Sequence, residues 1–156
     1  MHITTANINS IAASEVLRNI ETPVLLELHD KVTLPGLLNN AESWTLSKAE
    51  YSFIETAEIQ ALKYLFALPS HFPTPAIIFS FGTLFTQIHI EKKRLIYLHR
   101  LLKRTDNHWT VKTFKALLSH NIGWAKSITK TLHEYDLPTD LSTIKSYTIR
   151  QWKKTC

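Results

Sequence analysis

TLPGLLNNAESWTLSKAEYSFIETAEIQALKYLFALPSHFPTPAIIFSFG, residues 33–82, carries the clearest helix start and stop signals of the 156-residue chain. Ser47-Lys48-Ala49-Glu50 spells a capping box, in which the serine oxygen takes a free amide and the glutamate reaches back. Leu46 and Tyr51 flank it at the spacing of a hydrophobic staple. Ile54, Ala61, Leu62 and Leu65 then keep helical spacing, and Leu68-Pro69 stops the run, because proline disfavours a helical residue before it. Thr74 as cap with Pro75 at the first helical position predicts a second, short helix. Residues 76–81 are too apolar for an exposed helix, and Gly82 is a natural left-handed stop.

Working outward, residues 24–32 read as helix, kinked or ended by Pro35-Gly36, with Trp44 as a core anchor. Residues 1–22 form a polar N-terminal segment in which 14–20 suggest a helical turn or two, with residues 1–8 mobile. On the other side, Leu84, Ile88, Leu95, Leu98 and Leu102 fall within an arc of roughly 80° at 100° per residue. Lys92, Lys93, Arg100, Lys103 and Arg104 occupy a separate arc of roughly 120°. That helix is amphipathic with a basic stripe. Val111, Phe114 and Leu118 space a further helix, as do Ala125, Ile128, Leu132 and Tyr135. After Leu137-Pro138, Thr139 or Asp140 caps a last helix through Leu141, Ile144, Thr148 and Trp152. The expected fold is all-α: an irregular single domain of about six or seven helices, the long ones at 47–67, 84–104, 122–135 and 140–153. Segments 23–104 and 105–156 pack together in it.

Composition sets the outer bounds. Three glycines argue against a turn-rich β fold, and a single cysteine, Cys156, excludes a disulfide framework. No run approaches the length of a membrane span and the start lacks a secretory pattern, so an intracellular, reducing location (cytoplasm or nucleus) is expected. The net charge of +5 permits a nucleic-acid partner without requiring one.

The run Leu34-Pro35-Gly36-Leu37-Leu38-Asn39-Asn40-Ala41-Glu42-Ser43-Trp44-Thr45 resembles the region just after the palm in reverse transcriptases of non-LTR retrotransposons, the jockey-like and related mobile elements. A helix like 47–66, a Leu-Pro step, a Pro-Thr-Pro, a glycine like Gly82 and a basic helix like 91–104 follow in the order that family has them. The likeness covers about residues 22–135, and the order and spacing of these features together carry it. It implies a thumb and post-thumb region of an RNA-directed DNA polymerase. That chemistry needs paired palm aspartates holding two metal ions. Here Asp30, Asp106, Asp136 and Asp140 all stand apart. The chain therefore looks like a C-terminal fragment without the catalytic part, expected not to act as an enzyme by itself.

The remaining chemistry is sparse. Eight histidines include no pair at metal-chelating helical spacing, and no Gly-x-Ser-x-Gly elbow or phosphate loop is present. No metal, cofactor or small-molecule substrate is expected. His99 reads as a packing histidine, and Trp109 and Trp152, beside basic residues, are open between core and base stacking. The first functional expectation is a phosphate-backbone contact by Lys92, Lys93, Arg100, Lys103 and Arg104 with an RNA–DNA hybrid or duplex DNA. The same stripe also suits a merely solvated helix face. A second reading is a protein-interaction or self-association module using an apolar face around Val24, Leu28, Val32 and Leu37. A third is a helix-turn-helix over 122–153, whose turn lacks the usual glycine.

Overall fold

The computed structural model describes residues 20–82 and 86–156; their regular elements are all helices, with no strand among them. The chain is all-α. It divides into two compact units, one of residues 1–39 and 46–88, the other of 40–45 and 89–156. The boundary at 88/89 differs from the segmentation at 104/105 read from the sequence. The physical reason is shared burial: Leu95, Leu98, Leu101 and Leu102 lie in one core with Val111, Phe114, Ala125, Ile128, Leu132, Ile144 and Trp152. The expected turns at 14–20 and the position of Leu84 lie outside the described residues, Ile20 excepted.

In the first unit, α1 (Thr22–Leu28) runs into a π turn (His29–Thr33) and then α2 (Leu34–Leu37). The helix is therefore not ended by Pro35. A proline ring clashes with the carbonyl four residues back. The wider π turn relieves this, with the Leu34 amide donating five residues back to the His29 carbonyl. The capping box forms as read: the Ser47 amide donates to Glu50 Oε2 at 2.7 Å, and the Glu50 amide donates to Ser47 Oγ at 3.4 Å. It opens α3 (Lys48–Leu65). The Leu68 amide closes that helix on the Lys63 carbonyl at 2.8 Å, with Ala67 left-handed at φ 49°. In α4 (Thr74–Phe81) the cap is Pro73, one residue earlier than expected, and Gly82 ends the helix at φ 61°. Its Ile77 is buried with Ile59 and Leu62, while Phe66 stacks on Phe81 at 4.0 Å. Phe79, expected to be covered, is 92% exposed, because α4, a helix of about two turns, offers only one face to α3.

In the second unit, a 3₁₀ turn (Ala41–Ser43) joins α5 (Thr86–Leu102, from His89 onward), α6 (Trp109–Ser119) and α7 (Gly123–Glu134). Trp124 packs edge-on to Tyr97 and Phe114 and donates its Nε1–H to the Glu42 carbonyl at 2.8 Å. The single last helix expected over 140–153 is two: α8 (Leu141–Ser146) and α9 (Ile149–Thr155). Tyr147 is extended between them, and its carbonyl accepts from His99 Nε2 at 2.9 Å instead of from a helical amide. Thr148 and Gln151 then form a fresh capping box. That break lets Trp152 enter the core, fully buried, where its Nε1–H donates to the Leu95 carbonyl at 2.8 Å.

Candidate nucleic-acid interface

Charge is divided unequally between the units. Residues 40–45 and 89–156 hold 14 of the 18 Lys and Arg but only 6 of the 13 Asp and Glu, a net +8, which leaves −3 for the first unit. Cations gathered on one compact unit form an electrostatic footprint that a chain-wide +5 conceals.

Helical spacing groups five cations in one stripe, and the structure places them on or just beyond α5. Lys92 and Arg100 are exposed on the helix, and Lys93 is half-buried. Lys103 and Arg104 are exposed in the turn that follows, since α5 ends at Leu102. The sixth cation, Arg94, is only 1% exposed, and its Nε and Nη2 lack a hydrogen-bond partner. Its position explains the difference: at 100° per residue Arg94 lies about 40° from Leu98, on the buried side. Glu91, buried on the same helix, accepts from the Tyr135 hydroxyl.

The stripe continues past the helix in a way that α5 periodicity does not reveal. Arg104 Nη1 lies 3.3 Å from His108 Nε2, and His108 caps α6 by accepting from the Thr110 amide. The visible signal is the four-residue spacing of Arg104 and His108. Lys112 is exposed on α6, and Lys115 pairs with Asp106 at 3.1 Å. That contact, with Lys145 nearby, holds the Asp106 carboxyl below its usual range. The two tryptophans left open separate cleanly: Trp152 is core, while Trp109 is 71% exposed. The helix-turn-helix expected over 122–153 is not formed as one motif, because its second helix stops at Ser146.

Other chemistry is limited. Among the described residues, no three His, Cys, Asp or Glu side chains are grouped to hold a metal ion, and no helix is long and apolar enough to cross a membrane. The first unit carries a half-open groove of about 530 Å³ between α3 and residues 68–74, where Lys63 Nζ donates to the Ser70 carbonyl at 2.6 Å. It also buries a polar group: His29 Nε2 stands 3.6 Å from Glu58 Oε1, and the Thr86 hydroxyl donates to the other Glu58 oxygen. Both residues are buried, which suits core structure better than substrate contact. No family model, curated protein or solved structure matches this chain.

Proposed function

We propose that this chain is a non-catalytic, nucleic-acid-binding helical element that grips a phosphate backbone through the basic face of its second unit. The observation that carries this reading is the net +8 on that unit, with Lys92, Arg100, Lys103 and Arg104 all exposed. Cations that neutralise phosphates release condensed counterions, so affinity comes with a steep salt dependence. The resemblance of residues 34–45 and of the features after them gives the reading its context. It points to a thumb of an RNA-directed DNA polymerase of a mobile element, with an RNA–DNA hybrid or duplex DNA as partner.

The test is binding of the purified chain to a hybrid duplex and to duplex DNA, at low and at physiological salt. Tight low-salt binding that weakens steeply with salt is expected. Charge reversal of Lys93, Arg100 and Arg104 together should reduce it by at least tenfold. Unchanged affinity in that variant would overturn the reading. An alternative is self-association through the face of α1 and the π turn, where Val24 and Val32 are 50% and 54% exposed. Sedimentation decides it: a concentration-dependent dimer supports the alternative, and a monomer across the range removes it.

A further inference from the structure

We infer that Trp109, His108 and Arg104 form a nucleotide subsite that takes an unpaired base on the indole, braced by the histidine, and its phosphate on the arginine. This deepens the proposed function and rests on it, adding single-stranded nucleic acid to the backbone contact. Three observations on the second unit carry the inference.

The first is the indole itself. Trp109 is 71% exposed, whereas Trp44 and Trp124 are half-buried and Trp152 is fully buried. A large aromatic face left in water beside cations is the arrangement on which bases stack. The second is its backing. The His108 ring lies 6.2 Å from the Trp109 ring at 25°, so one side of the indole is braced. Bracing fixes the ring's orientation before a base arrives and lowers the ordering cost of binding.

The third is the cation beside it. Arg104 is exposed, and its Nη1 lies 3.3 Å from His108 Nε2, which keeps the guanidinium close to the indole's neighbour. A guanidinium carries five donors, so this contact occupies only part of it and the others are open to a phosphate oxygen, the charge-assisted contact that arginine favours. The five-residue reach from Arg104 to Trp109 thus places a phosphate ligand next to a base platform.

A base within a duplex is stacked and cannot reach the indole; an unpaired base can. Anisotropy of a labelled oligothymidine and of a duplex of equal length therefore separates the two contacts. Expected results are a roughly tenfold loss of oligothymidine affinity in Trp109→Ala, retention of most of it in Trp109→Phe, and unchanged duplex affinity in both. Arg104→Ala weakens both ligands. Matching thermal melts confirm that the exposed site tolerates the changes. Equal loss on both ligands, or no loss with Trp109→Ala, would overturn the subsite while leaving the backbone reading in place. A wild-type chain that binds neither ligand at low salt removes both readings. A change in sedimentation with Trp109→Ala, without a change in oligothymidine binding, reassigns the indole to a protein contact and overturns the subsite.

Discussion

Glu58 is buried in the first unit, facing His29 and the Thr86 hydroxyl, with Glu55 and Asp30 as further charges around it. Burial is the largest influence and raises its pKa above the ordinary 4.5, against the pull of Thr86 and His29. The folded chain therefore holds this proton more tightly than the unfolded chain does. Stability from the site is fully present below the ordinary value and is lost as pH rises through the raised one. Glu58→Gln keeps an oxygen for Thr86 and removes the titration. Urea midpoints measured from pH 4 to 8 should fall with pH more steeply in the wild type than in the variant; parallel profiles would refute this. Trp152 illustrates the opposite case, a residue whose neighbours leave no choice. Trp152→Ala empties the largest site in the second unit's core and should cost about 3–5 kcal/mol in urea unfolding. Cys156 is partly buried, which pushes its thiol up to about 11 despite Lys92 nearby. Alkylation at pH 8 should accordingly be slow next to a free thiol, and denaturant should accelerate it.

At the scale of elements, helix ends decide most of the geometry. With three glycines in the chain, α3, α6 and α7 close on Ala67, Asn121 and Asp136 in the left-handed region, each with the same long amide-to-carbonyl bond. Asn and Asp tolerate that region, but alanine does not. Ala67→Gly should therefore stabilise the first unit by about 0.5–1 kcal/mol, read as a raised melting temperature. Asp140 caps α8 through Ser142 and Thr143, and those hydrogen bonds hold its carboxyl at about 2. Its stabilising effect is present above the ordinary 3.8 and disappears as pH falls through about 2, so Asp140→Ala should lower the melting point at pH 7 and converge with wild type at the acid end. These signals bear on legibility. The Ser47 box, Gly82 and the Asp140 cap could be read directly because their chemistry is local. The Thr148-Gln151 box has the same form, yet it is masked by an apolar spacing that runs on smoothly from Leu141 to Trp152. What breaks that helix is His99, 48 residues away, taking the Tyr147 carbonyl. The π turn before Pro35 was hidden in the same way, since a proline announces a disturbance without saying whether the helix ends or widens.

For the whole molecule, the division of charge is the property that composition could not show. A net +5 is the sum of one unit at +8 and another at −3. If the basic unit binds phosphates, removing one contact such as Arg100 should shallow the slope of log affinity against log salt by about 1. Lys63→Glu, in the other unit, should leave that slope unchanged. Helical periodicity places Lys92, Lys93 and Arg100 on α5 and accounts for the burial of Arg94, which falls by angle on the apolar side, whereas Lys103 and Arg104 lie past the helix end. The corner at Trp109 was not legible, because exposure of an indole depends on which helices find each other, and no spacing encodes it.

The second unit draws on residues 40–45 as well as 89–156, and Trp124 reaches back 82 positions for its carbonyl partner on Glu42. In evolutionary terms, neither unit is a movable cassette. A genetic crossover falling between 45 and 89 would join a Glu42 turn from one parent to a Trp124 helix from another, and only parents agreeing on that backbone contact would yield a well-packed chimera. Exchange within this chain should therefore be tolerated best at its ends, with the two units inherited together or not at all.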